Sequence, residues 1–262
     1  MDFLLSHDWL GREGPYAFKL DHLLFILIAM SIGVALAFLL RKRQRKTITI
    51  VLISLWGFGV AIEAFYYIFL YSLCATNYQD YVFNIETMLP FHSCSMFMFV
   101  FPVAMFVKNK FIKTMANNFL VVVNMIMGFI TLFVGCPSPN YSALSFFGLQ
   151  TLIYHAIIVI VPLIMVITKY YDIQIEDIKY GLLAFGVLGL TMWIFDAISG
   201  CDYFYFYDGH TFPVFKFISE NVHHLVWTLL IVSCYIITAC AMHFLIIGVK
   251  YLIKKKQELK NE

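Results

Sequence analysis

HLLFILIAMSIGVALAFLL (residues 22–40) and TITIVLISLWGFGVAIEAFYYIFLYSL (residues 47–73), joined by RKRQRK (41–46), decide the fold of this chain. Each apolar run is close to or above the roughly 20 residues that carry a helix across a hydrocarbon core. Working outward, the same pattern recurs. Further spans are expected at Met88–Val107, Asn118–Gly135, Leu144–Thr168, Gly181–Gly200 and Val222–Val249. Charge or turn residues bound them: KNKFIK (108–113), CPSPN (136–140) and the aromatic run CDYFYFYDGHTFPVF (201–215). The expected fold is all-α, a polytopic membrane bundle of seven transmembrane helices forming a single domain over residues 1–262.

Composition excludes a soluble protein. The 262 residues are 61% hydrophobic and 13% charged, where soluble domains run at about 45–50% and 25%. A net charge of +2 gives no sign of a nucleic-acid partner. Six cysteines without CxxC or Cys/His zinc spacing imply neither metal nor cofactor. Residues 1–19 lack the basic start and apolar centre of a cleavable signal peptide. They read as an interfacial segment, with Phe3, Leu4, Leu5, Trp9 and Leu10 at headgroup level. Residues 250–262 read as a basic tail, and the expected location is the cell membrane, multi-pass. Oligomeric state is not encoded legibly.

Orientation follows from lysine and arginine. The links after spans one, three and five hold Arg41, Lys42, Arg43, Arg45, Lys46, Lys108, Lys110, Lys113, Lys169 and Lys179. The tail adds Lys250, Lys254, Lys255, Lys256 and Lys260, leaving only Arg12, Lys19 and Lys216 on the other face. The positive-inside rule puts the larger set in the cytoplasm and the N-terminus outside.

Ionisable side chains at membrane depth are costly and mark cavities or partners. Glu63, His92, Cys94, His155, Asp196, His223 and His224 fall in one layer of the expected topology, with Asn124 in the fourth span and Tyr203 in the aromatic loop. They imply a polar pocket in the outer half of the bundle. Structural readings compete with this: Glu63 pairing with a histidine, Tyr66 or Tyr67; Asp196 sitting at an interface; at most one of His223 and His224 facing the pocket, with His224 satisfied by Glu220 four residues back. Cys74, Cys136 and Cys201, at outer helix ends, could bridge in any pairing or stay as thiols. Leu89-Pro90-Phe91-His92-Ser93-Cys94 is different. Proline is favoured at the first helical position, so Cys94 is expected one turn into the third helix. There the dipole and free amides favour a thiolate and a developing oxyanion. His155, at similar depth in the fifth span, is the expected base.

The Leu89-Pro90-x-His92-x-Cys94 opening, Tyr154-His155-Ala156 and the loop from Asp202-Tyr203-Phe204 to Pro213 resemble the YwaF-like family of bacterial integral membrane proteins. That family is similar to the animal TMEM-type enzyme that transfers acyl chains to ether phospholipids. It is more distantly similar to the androgen-induced membrane hydrolase acting on fatty-acid esters of hydroxy fatty acids. The resemblance implies Cys94 as nucleophile, His155 as base and a membrane lipid as substrate. Asp202 departs from the asparagine of the family pattern. Two other classes compete with acyl chemistry: a small-solute or ion transporter using Glu63, Asp196 and the histidines, and a non-catalytic binding or assembly component. Against transport, the sequence has no inverted repeat and no matched pair of broken helices.

Overall fold

Hydrocarbon offers no hydrogen-bond partners, so a chain immersed in it must satisfy its backbone internally, as helix or closed barrel. A computed structural model of the protein, describing residues 18–76, 89–134, 141–207 and 213–259, is helical throughout with no strand among the described residues. The elements are α1 (Leu20–Leu40), α2 (Arg45–Ala75), α3 (Met96–Phe106) and α4 (Lys110–Asn118). A π-helix (Phe119–Asn124) joins α4 to α5 (Met125–Val134). Then come α6 (Phe146–Ile167), a 3₁₀ turn (Ile175–Asp177), α7 (Ile178–Ser199), α8 (Pro213–Asn221) and α9 (His224–Glu258). The interfacial segment expected at the N-terminus lies outside the described residues, apart from Phe18 and Lys19. Cys136 also lies outside them. The expected basic tail is a helical continuation of α9 as far as Glu258.

Among the described residues, six helices, not the seven expected, are long and apolar enough to cross a membrane: α1, α2, the continuous run Lys110–Phe133, α6, Ile175–Ser199 and α9. The third expected span, Met88–Val107, is helical only over the eleven residues of α3, roughly 17 Å at 1.5 Å per residue. Pro90 does not open that helix, because residues 91–95 turn instead. In a continuing α-helix the Phe97 amide would bond to the Ser93 carbonyl, but it bonds to Cys94 at 3.1 Å. The Ser93 carbonyl accepts instead from Asn124 Nδ2 at 3.1 Å, and the Cys94 carbonyl accepts from the same amide at 3.2 Å as well as from Phe97. Irregular backbone at membrane depth is tolerated only where protein or a cavity surrounds it, and Ser93 and Ser95 are buried.

α6 is the central post. It packs against α1, α2 and α5, and 78% of its apolar window is buried, against 22% for α1 and α2. Small residues let helices approach where no hydrophobic effect drives them together. At Gly33 of α1, a Cβ would fall 2.4 Å from Ile160 Cγ1 of α6. The end of the bundle carrying Asp172 and Lys250 is tied by ions. Lys250 Nζ donates to Asp172 Oδ1 at 2.7 Å and to the Ile173 carbonyl at 2.6 Å. The hydrogen bond from Lys250 holds the Asp172 carboxyl below its ordinary range. His243 is fully buried near that end, with Nε2 against the Ile175 carbonyl at 3.2 Å.

Candidate functional site

The turn at residues 91–95 presents Cys94 immediately before α3, two residues ahead of its first helical residue. Three elements pin this turn. Asn124, at the end of the π-helix, donates to two successive carbonyls as described. π-Helical segments widen the backbone and recur at functional sites; here all six π residues are buried, Asn124 completely. From α9, Tyr235 Oη donates to Ser93 Oγ at 3.1 Å. From the loop after α7, Tyr203 meets the His92 ring edge-on at 5.0 Å between centroids.

His155 reaches the same region from α6. It is buried, and its Nδ1 lies 2.7 Å from the Thr151 carbonyl one turn back. A carbonyl only accepts, so Nδ1 carries the proton and Nε2 presents a bare lone pair. Nε2 is buried with no hydrogen-bond partner among the described residues, and so is Asn124 Oδ1. Nearly all buried polar atoms are paired, so two unpaired acceptors call for an explanation. His155 stands within electrostatic range of His92, and its neighbour Tyr154 within range of Cys94 and Glu63. No hydrogen bond joins Nε2 to Cys94 in this state. Catalytic hydrogen bonds are often long in resting sites and tighten with substrate.

Glu63 is buried in α2, and its partner is neither a histidine nor a tyrosine: Gln150 Nε2 of α6 donates to its Oε1. Thr151 Oγ1 donates in turn to Gln150 Oε1 at 3.1 Å. Glu63 and His155 are thus linked through consecutive residues of α6. Tyr67 lies within electrostatic range of Glu63, Cys94 and Tyr203. Ser93, Tyr67 and Tyr154 join the cluster from the motifs and the pairing already read in the sequence, whereas Gln150, Thr151 and Tyr235 belong to it without having been marked there. The one signal for Gln150 was a lone amide in an apolar run, five residues before His155.

Asp196 and Tyr203 share a different task. Gly200 at φ 74° ends α7 in the left-handed conformation, open to glycine without the Cβ penalty. The chain then folds back, so that Asp196 Oδ2 accepts the Tyr203 amide at 3.1 Å. Tyr203, Phe204 and Phe206 are buried. Tyr205 is held at φ 58°, a strained region for a bulky residue, with its carbonyl accepting from Trp227 Nε1 at 3.0 Å. The loop caps the cluster. His223 and His224 do not face it. Both are exposed: His223 caps α9 by accepting the Leu225 amide at 3.3 Å, and His224 packs on Tyr207. Cys201 is a buried thiol outside any disulfide. Among the described residues no three His, Cys, Asp or Glu side chains converge as metal ligands.

Asn124→Leu keeps the branched side-chain shape and removes the amide. It leaves the Ser93 carbonyl buried without its donor, at a cost of about 1–3 kcal/mol. Thermal unfolding in detergent should fall accordingly, whereas an unchanged midpoint would mean that the Asn124 contacts are incidental.

No curated protein matches this chain, and no solved structure does. The TMEM164 family model matches residues 17–252, spanning the bundle, the Cys94 turn and His155. The chain is a member of the TMEM164 family of membrane proteins.

Proposed function

We propose that this protein is a membrane-embedded enzyme that moves acyl groups on a lipid, with Cys94 as nucleophile and His155 as base. The observation that carries the reading is the His155 ring: fixed by Thr151 at Nδ1, bare and buried at Nε2, and within electrostatic range of His92 on the broken segment that bears Cys94. Nε2 takes the thiol proton as Sγ attacks the ester carbonyl carbon. The positive end of α3 stabilises the oxyanion. Collapse breaks the ester C–O bond, the leaving alkoxide takes the proton from the imidazolium, and a thioester remains on Cys94. An acceptor hydroxyl or water then gives its proton to His155, attacks the thioester and releases Cys94. Transfer and hydrolysis differ only in this last reactant. Membrane-purified protein should carry an acyl adduct on Cys94 by mass spectrometry, absent in Cys94→Ser. A protein with no adduct that loses function on Glu63→Gln rather than on Cys94→Ser would be a transporter. One that needs neither residue would be an assembly component.

The proposed topology keeps the N-terminus outside, in the cell membrane, with residues 89–106 completing a seventh crossing as turn plus short helix. The support is that fifteen of the eighteen basic residues then share the cytoplasmic face. Cysteine labelling should place Lys110 and the C-terminus inside, and Asn140 and Gly209 outside. If both termini label from the same side, residues 89–106 do not cross.

A further inference from the structure

Away from Cys94, α7 and α9 diverge to leave a groove of about 260 Å³, lined by Phe185, Gly186, Gly189, Trp193, Phe206 and Val232 among others. Two glycines at i and i+3 make the space: a Cβ on Gly186 would meet nothing within 4 Å, and one on Gly189 would just touch Phe206. At 1.5 Å per residue the groove runs from roughly 10 to 21 Å below Gly200, within the hydrocarbon of a bilayer about 30 Å thick. Its flanks, Val187, Leu190 and Leu229, are exposed apolar side chains. Thr228, its one polar lining residue, spends its hydroxyl on the Phe206 carbonyl at 2.9 Å. Apart from the Trp193 indole N–H the groove offers no side-chain donor to a headgroup, and its volume is below the roughly 300–1,000 Å³ that encloses a whole drug-sized ligand.

Its inner wall is also the outer wall of the candidate site. Phe185 stacks on Tyr235 at 4.9 Å, and Phe206 leads through Phe204 to the same tyrosine, at 5.6 and 6.1 Å. Tyr235 holds Ser93, the residue before Cys94. We propose that this groove is a lateral acyl-chain site, holding one chain of a bilayer phospholipid against the Tyr235 wall while its ester end reaches Cys94. The groove makes the substrate's chain a recognised element. Its link to Cys94 rests on the acyl-transfer reading; its occupancy does not.

The test separates the two. The full-length protein is reconstituted in phosphatidylcholine bilayers containing a probe with a photoreactive diazirine in one acyl chain, and adducts are mapped by mass spectrometry. They should concentrate on α7 and α9 at the groove, in the wild type and equally in Cys94→Ala. Gly186→Phe and Val232→Phe fill the groove from opposite sides and should each reduce those adducts about tenfold, while adducts on α1 stay constant. Equal labelling of every lipid-facing helix, untouched by either variant, would overturn the proposal, leaving only annular lipid. Competition by a free fatty acid but not by phospholipid, or crosslinking of this face to a second copy of the chain, would also overturn it. Groove labelling in a protein that never acylates Cys94 would uphold the acyl-chain site and remove the catalytic reading instead.

Discussion

Replacing His155 with alanine should lower alkylation of Cys94 at neutral pH by about tenfold or more, with reactivity returning only near pH 8.5, where an unassisted thiol ionises. The reasoning starts from the ring. Nδ1 is committed to the Thr151 carbonyl at 2.7 Å, so Nε2 is the only atom that can accept a proton. If that proton comes from Cys94, the thiolate exists below the pH at which it would form alone. Alanine removes the acceptor and breaks only the bond to Thr151, because among the described residues the imidazole makes no other hydrogen bond. The measurement is the pH profile of labelling by a small lipophilic electrophile, with the other five cysteines changed to serine. Turnover should fall further, since general acid–base steps contribute about 10²–10⁴ in rate. Superimposable profiles for wild type and His155→Ala would sink the pair and move the Glu63-centred transporter reading ahead.

Gly148→Ala should be the most disruptive of the conservative substitutions. Gly148 sits in the first turn of α6, where a Cβ would lie 1.9 Å from the Ser142 carbonyl oxygen. That oxygen cannot step aside cheaply. It accepts from the Ser145 amide at 3.0 Å and from Ser145 Oγ at 2.9 Å. Ser145 Oγ in turn caps α6 by accepting the Gly148 amide at 3.1 Å. Forced expansion costs about 1–3 kcal/mol, and loss of the cap adds about 1 kcal/mol. Both outweigh the roughly 0.5–1 kcal/mol by which alanine favours a helix interior over glycine. Gly248→Ala is the control, because nothing lies within 4 Å of its Cβ; it should be neutral or slightly stabilising. Thermal unfolding in detergent checks the contrast in sign. Equal midpoints for the two variants would show that α6 starts without the tight Ser142 turn.

What the sequence determined by itself is what depends on local composition. Apolar length gave an expectation of seven spans, of which six stand as long helices among the described residues, and the expected bounds fall within a few residues of those observed for α1, α2 and α6. Desolvation cost marked Glu63, His155, Asp196 and Asn124 as residues needing a reason, and all four are buried. Partners were another matter. Hydropathy reads Met88–Val107 as one span, yet whether its first half coils depends on Asn124, thirty residues on, competing for the Ser93 and Cys94 carbonyls. Gln150 became Glu63's partner, and Tyr235 came to hold Ser93, because separate helices pack side by side. His223 and His224 share the sequence signature of pocket residues, yet α9 turns them outward. In a bundle, position along an apolar run says how deep a residue lies. Which face meets which neighbour is decided by packing between helices far apart in the chain, and the chemistry of the Cys94 turn is assembled at that level.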